Sequence, residues 1–333
     1  MNRKRLAVCL LSWLLLGLAP AGPALAEFEQ MTQLYLSPML GNLKWQIATR
    51  ATRAPEERVL TQGQKLGFNS FQAQAMGPLW NGRENELSLR ISAAYWSFSG
   101  NAILPDTGEK FPSDFKELKL TMAYRRAFSG GDVAGLVLGY GSPSDEPFHS
   151  MDETDISATL FYRLARTKDS AWLFYLNYDK NRDLLEGSPL PAAAYWQRES
   201  DNLQWMLGLP SMLSARLARR WRVNLFYFVP RSVYARLGYQ LFRGVEAYGS
   251  FSWQKSHWYR VNRANGDDKL TFYRKEAKLG TVFLLSRGLK LDLSGGFSFD
   301  REIFEGKDYD DRNHNRLELS DAWIVSLSLS RSF

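Results

Sequence analysis

Apolar and polar positions alternate with period two along much of the chain. Leu87, Leu89, Ile91, Ala93 and Tyr95 interleave with Ser88, Arg90, Ser92 and Ala94, and Leu118, Leu120, Met122 and Tyr124 with Lys119, Thr121, Ala123 and Arg125. The same rhythm returns over residues 156–163, 233–241, 245–253 and 289–300. It is strictest at the end, where Trp323, Val325, Leu327, Leu329, Arg331 and Phe333 form one row and serines from Ser326 onward form the other. Successive side chains of a strand point to opposite faces, so each run predicts a strand with one apolar and one polar side. No helical period of comparable length competes. The fold class is all-β.

Strand length separates a sandwich from a barrel. Sandwich strands average about five or six residues, whereas these runs are of about 9–13, the length a tilted strand needs to cross a bilayer. Aromatic residues gather near the run ends (Tyr95, Trp96, Tyr124, Tyr162, Trp253, Trp258, Trp323, Phe333), as an interfacial girdle requires. Short connections near 128–131, 166–169, 219–221, 242–244 and 286–288 alternate with long ones at 100–114, 179–200, 255–268 and 301–321. Short turns on one side and long loops on the other predict a transmembrane antiparallel β-barrel. Twelve strands follow from residue 85 onward if 203–217 is one long strand interrupted at Pro210, with residues 223–229 and 233–241 pairing across a tight turn at Pro230-Arg231. Two less regular strands around 43–47 and 66–68 bring the expected total to about 14. The alternative is 12 strands preceded by an N-terminal plug, because the first ~60 residues after residue 26 are the least regular strand material.

Composition agrees with a barrel. Arg3-Lys4-Arg5, an apolar run over 6–18 and Ala24-Leu25-Ala26 read as a signal peptide over 1–26, leaving 27–333 as a single outer-membrane barrel domain. The sole cysteine, Cys9, lies in that leader, so the exported part carries no thiol. Removing Arg3, Lys4 and Arg5 lowers the formal charge from +7 to +4, with no dense basic block, which excludes nucleic-acid binding. Mean hydropathy is −0.33 although aromatics reach 14% and tryptophans number 11. A barrel looks hydrophilic on average because only every second residue faces lipid.

The candidate chemistry lies on the inward rows. Lys119, Arg125, Arg163, Arg236, Arg274, Lys278 and Lys290 face Asp155, Glu246, Glu276 and Asp292. Such a set makes either a mixed-charge pore lining with mild anion preference or a salt-bridged interior that conducts nothing. His149, His257 and His314 fall in three presumed loops, no His and Ser stand two apart on a strand face, and no phosphate- or dinucleotide-binding glycine pattern occurs, so no enzyme is expected. Asp311, Asn313 and Asn315 have the i, i+2, i+4 spacing of a calcium loop, but Arg316 occupies the glycine position and Ala322 the bidentate glutamate position. A solvated loop held by Asp–Arg pairs is the competing reading. Calcium is the single cofactor suggested.

Trp205-Met206-Leu207-Gly208-Leu209-Pro210, Pro230, Ala235-Arg236-Leu237-Gly238-Tyr239, residues 276–280 and Gly295-Gly296-Phe297-Ser298-Phe299-Asp300-Arg301 resemble a family of uncharacterised Gram-negative outer-membrane barrel proteins. The resemblance covers roughly residues 170–333 and implies barrel and location without assigning a substrate. The closing strand, ending on Phe333, resembles those that barrel assembly machinery recognises. The expected function is a channel or transporter for a small hydrophilic solute. The alternative is a closed barrel displaying loops to lipopolysaccharide, an ion or a protein partner, and a soluble exported β-protein lies outside both. Outer-membrane lipid and lipopolysaccharide are the expected surroundings.

Overall fold

The structure, a computed structural model, describes residues 32–37, 39–182, 187–228, 232–307, 311–312 and 314–333. The leader expected over 1–26 lies outside them. A helical turn at Thr32–Leu36 precedes β1 (Gln46–Arg58), β2 (Lys65–Asn81), β3 (Asn85–Gly100), β4 (Asp114–Ala127), β5 (Val133–Ser144) and β6 (Asp155–Thr167). Then follow β7 (Ser170–Asp179), β8 (Leu190–Ser200), β9 (Leu203–Gly208), β10 (Ser211–Arg216), β11 (Trp221–Phe228) and β12 (Ser232–Phe242). The chain closes with β13 (Val245–Trp258), β14 (Lys269–Ser286), β15 (Leu289–Gly306), β16 (His314–Leu319) and β17 (Ala322–Ser332).

Each strand from β1 to β15 pairs antiparallel with the next, and β17 pairs with both β15 and β1, so the sheet closes into a ring of sixteen. β16 is the outer continuation of β17. The pairs Ser298–Ala322 and Arg301–Leu319 lie on one uninterrupted register, with a break only at Ser320-Asp321. The short turns and Phe333 share one rim, and the longer connections share the other. The outward rows (Leu118, Leu120, Met122; Trp172, Phe174, Leu176; Val325, Leu327, Leu329) are exposed and apolar around the ring. A closed sheet with an apolar exterior leaves no open strand edge through its girth and suits lipid rather than water.

Sixteen strands replace the expected fourteen, and two segments account for the difference. β8 lies within what the pattern presented as the long 179–200 connection. Its Pro191-Ala192-Ala193-Ala194 puts small residues on both faces and erases the alternation that betrays a strand. Residues 203–217 form two strands rather than one, because Leu209-Pro210 is a hairpin turn that Gly208 enters at φ 137°. Proline has no N–H to give a ladder, so this one ends a strand. The turn expected at Pro230-Arg231 falls outside the described residues, while β11 and β12 pair as anticipated. Two expected girdle residues, Trp96 and Trp258, instead point inward and are 4% and 2% exposed. His257 and His314 lie on strands β13 and β16, not in loops.

Two clusters fill much of the interior. On the side of the tall strands, Phe68, Trp96, Phe98, Phe115, Trp258 and Phe272 form an aromatic core toward the long-loop rim, capped by Leu104 and Phe111 of the β3–β4 connection. Trp258 meets Phe115 in a stack at 5.0 Å and Trp96 edge-on at 5.2 Å. Toward β7–β12, Leu36 joins Leu173, Trp196, Met206, Met212 and Phe226. The N-terminal segment therefore enters the barrel, as a plug would, although residues 46–81 belong to the wall.

Candidate functional site

Parity along each strand decides which side chains reach the lumen, and every inward candidate does so. They form separate groups rather than one ring. Arg236 pairs with Glu246 at 2.7 Å, its guanidinium lies 3.8 Å over the Tyr248 ring, and the Tyr248 hydroxyl donates to Asp292 at 2.7 Å. Arg274 donates to Glu276 at 2.8 Å, and Lys278 pairs with the same carboxylate at 2.7 Å while reaching Ser326 at 3.4 Å. Across the lumen, Lys119 pairs with Asp155 at 2.6 Å. Arg163 donates to the Gly131 carbonyl at 2.7 Å and stacks 5.6 Å from Trp196. Lys290 is half-buried on its row near the short-turn rim.

Participants that escaped the sequence reading include Arg222 of β11, which pairs with Glu246 at 3.5 Å, and three others. Arg50 of β1 stands on the inward face opposite Ser328 of β17. Tyr248 links Arg236 to Asp292, although a tyrosine on an alternating strand gives no sign of its partner. Glu86 shares a face with Ser88 and Arg90, a parity that could have revealed it. Its Oε1 accepts from both Nε and Nη2 of Arg125, and both groups are almost wholly buried.

That pair fastens the N-terminal segment. Arg125 Nη1 donates to the Leu34 carbonyl at 3.1 Å, and Glu86 accepts from the Gly41 amide at 3.1 Å. Tyr35 packs edge-on against Phe161 at 4.7 Å and Tyr175 at 5.5 Å. The segment is thus held by one ion pair, the Asn81 amide on the Leu43 carbonyl at 3.0 Å, the apolar cluster around Leu36 and a few aromatic contacts, not by a β-ladder.

The mouth is bridged at the other rim. β5 and β13 stand eight places apart in the ring of sixteen, on opposite sides, yet their ends meet. The Tyr259 amide donates to Pro143 at 2.8 Å and the Val261 amide to Asp145 at 3.0 Å. β9, β10 and β11 are the shortest strands of the ring, with six, six and eight residues, and over this low stretch the taller β13–β15 wall leans across the mouth onto the aromatic core. Its other face carries Lys255 and His257, with Asp179 acting on Lys255 and Lys269 donating to the Arg182 carbonyl at 3.4 Å. The bridge therefore divides the mouth into an aromatic half and a polar half.

The proposed calcium ligands do not converge among the described residues. Asn313 lies outside them, and Asp311 accepts from the Lys307 amide at 3.3 Å. Asn315 gives its side-chain amide to Glu305 and its carbonyl to the Asp106 amide. No group of three or more His, Cys, Asp or Glu among the described residues is arranged to hold a metal ion.

No protein-family profile matches the chain, and no curated protein sequence does. Solved structures with a similar course include an outer membrane channel from Pseudomonas putida F1, at 9% identity over 87% of this chain and 96% of that one, TM-score 0.40. OccK7 from Pseudomonas aeruginosa aligns at 9% identity over 88% and 99%, TM-score 0.42. The TodX monoaromatic hydrocarbon channel with two deletions aligns at 9% identity over 94% and 93%, TM-score 0.41. At these identities the likeness is one of barrel architecture alone. The location rests on this chain's own wall. An even-numbered antiparallel barrel with an apolar belt, short turns on one rim and long loops on the other is of the outer-membrane type. This protein is an outer-membrane β-barrel.

Proposed function

We propose that the protein is a gated outer-membrane channel for a small hydrophilic solute, with a preference for anions. The observation that carries this reading is the mismatch between wall and filling. The lumenal wall presents charged rows, while what closes it over β3 to β12 is a segment, residues 34–37 and 39–43, that belongs to no strand of the ring. Near β12 to β15 and β1 the bases Arg50, Arg236, Arg274 and Lys278 outnumber the carboxylates Glu246, Glu276 and Asp292, and a net basic lining favours anions. We assign no enzymatic activity.

The aromatic core favours a second reading, a closed barrel that works through its loops. Planar-bilayer recordings of refolded residues 27–333 and 44–333 separate the two. The channel reading expects rare, brief steps from the longer form and frequent, larger ones from the shorter. Silence from both, with heat-modifiable gel migration showing that both are folded, overturns it.

A further inference from the structure

The outward faces of β1, β2, β3 and β17 carry an exception to the apolar belt. Arg53, Asn69 and Ser97 stand side by side on one rung, through the pairs Arg53–Asn69 and Asn69–Ser97, and all three point away from the lumen. Arg53 and Asn69 are exposed. Beyond the backbone ladder, no side chain of the three makes a hydrogen bond or ion pair with any described residue. Four other basic side chains on the outward rows are matched, while Lys65 and Arg166 lie at strand ends next to the rims. Lys116 pairs with Asp114 at 2.9 Å and Lys275 with Asp300. Arg126 covers Phe128 at 5.4 Å, and Arg331 covers Phe333 at 4.7 Å.

Height makes the exception informative. Arg53 is seven residues along β1 from Gln46, which pairs with Ser332 at the short-turn rim. At about 3.3 Å per residue and a tilt of about 40°, that is roughly 18 Å up a belt of about 25 Å, inside the outer leaflet and within side-chain reach of its headgroups. Val325 continues the rung on β17, and one rung-pair below, Leu327, Ala51, Phe71 and Tyr95 complete the lining of a groove of about 580 Å³ that the rung itself borders. Unsatisfied donors at this depth are costly unless something in the membrane accepts from them. The rung ends at Asp114, whose carboxylate is already taken by Lys116 and Ser113.

We propose that this rung and groove bind a phosphate-bearing lipid of the outer leaflet. The phosphate lies against Arg53, Asn69 and Ser97, and an acyl chain descends along Phe71 and Leu327. A guanidinium with flanking amide and hydroxyl donors matches a phosphate in charge and hydrogen bonding. The acyl chain fills a concavity that belt lipids would otherwise pack poorly.

The test is native mass spectrometry of the refolded full-length mature chain in detergent, titrated with diphosphoryl lipid A and separately with phosphatidylcholine. The expected result is retention of one or two lipid A molecules at concentrations where phosphatidylcholine is lost. Arg53→Ser should weaken retention about tenfold, the scale of one charge-assisted hydrogen bond. Leu327→Trp, which fills the groove and keeps the rung, should weaken it as well. Lys116→Ser serves as the control for loss of a positive charge from the same face. Equal retention by Arg53→Ser and the unaltered chain overturns the proposal, as does an equal fall with Lys116→Ser. A lipid-free dimer whose formation Leu327→Trp abolishes would overturn it too, and would assign the groove to a second copy.

Discussion

Arg263 donates through Nη1 to Glu153 at 2.9 Å across the barrel mouth, and the two side chains are only 3% and 4% exposed. The pair joins the β13–β14 connection to the β5–β6 connection and so clasps the bridge between opposite walls. Burial pushes the Glu153 carboxyl up. The Ser150 hydroxyl at 2.6 Å, Arg263, and the Ser150 amide at 2.8 Å together outweigh it and hold the group below its ordinary value. A carboxyl with a depressed folded value contributes stability that is complete above its unfolded value, about 4.3, and is lost as pH falls through the folded one. The mouth should therefore be fastened at neutral pH and loosen in acid. Hydrogen exchange at residues 259–263 should accelerate below about pH 4.3. Glu153→Gln should reproduce this at pH 7 by leaving the buried Arg263 without its counter-charge, held only by the Gly266 and Arg260 carbonyls, a change on the order of 3 kcal/mol. Exchange that stays flat from neutral to acid would remove the clasp from the account.

Arg125 and Glu86 hold both ends of the N-terminal segment, through Leu34 and Gly41. Replacing both, as Arg125→Met with Glu86→Leu, removes the tethers at Leu34 and Gly41 without stranding one buried charge, and leaves the Asn81 amide on the Leu43 carbonyl at 3.0 Å in place. The ladder of β3 with β4 is untouched, so the barrel should still resist denaturation in cold detergent. The segment should become cleavable by a protease added after folding, and bilayer conductance should rise toward that of the 44–333 form. A segment that stays protected would show that Tyr35, packed on Phe161 and Tyr175, and Asn81 suffice to hold it.

The barrel was legible in the sequence wherever one face was apolar and the other charged, as in β3, β4 and β17. It was illegible where both faces are small or both apolar. β8 has alanines on each side, and β14 runs Leu270-Thr271-Phe272-Tyr273 because its inner face enters the aromatic core while its outer face meets the leaning loops. Trp96 and Trp258 read as girdle residues because composition near a strand end says aromatic, and only register says which way it points. The charged rows were legible from parity, but their partners were not. Arg236 meets Glu246 across adjacent strands, whereas Arg125 is joined to Leu34 by a fold of the N-terminus that no period encodes.

The aromatic core gives a measurable asymmetry between faces. Trp258 is 2% exposed among Trp96, Phe98, Phe115 and Phe272, whereas Phe174 on the lipid side is 45% exposed. Trp258→Ala leaves a cavity in a packed interior and should cost about 3–5 kcal/mol. Phe174→Ala exchanges one lipid contact for another and should cost far less. Urea unfolding in phospholipid vesicles, followed by gel migration, should show the first midpoint well below that of the unaltered chain and the second near it. Equal midpoints would mean that the interior at Trp258 is wet and unpacked.

The wall is not of even height. β9 and β10 have six residues each, against eighteen in β14 and β15. Six residues span about 20 Å along the strand and about 15 Å of height once tilted, short of a belt of about 25 Å. Above the Gly208–Ser211 tip, Leu190 to Ala192 of β8 and Gln254 to Trp258 of β13 keep strand neighbours on one side only. The bilayer must thin there or meet polar edges, and either raises the free energy by an amount that grows with lipid thickness. Folding yield should therefore fall steeply between vesicles of twelve-carbon and eighteen-carbon lipids. Extending the hairpin with one alternating Leu-Ser pair in each strand, between Leu207 and Met212, should flatten that dependence by restoring wall height. If the extended form depends on chain length as steeply as the unaltered one, the low wall is not what the membrane feels, and the tall β13–β15 side sets the mismatch instead.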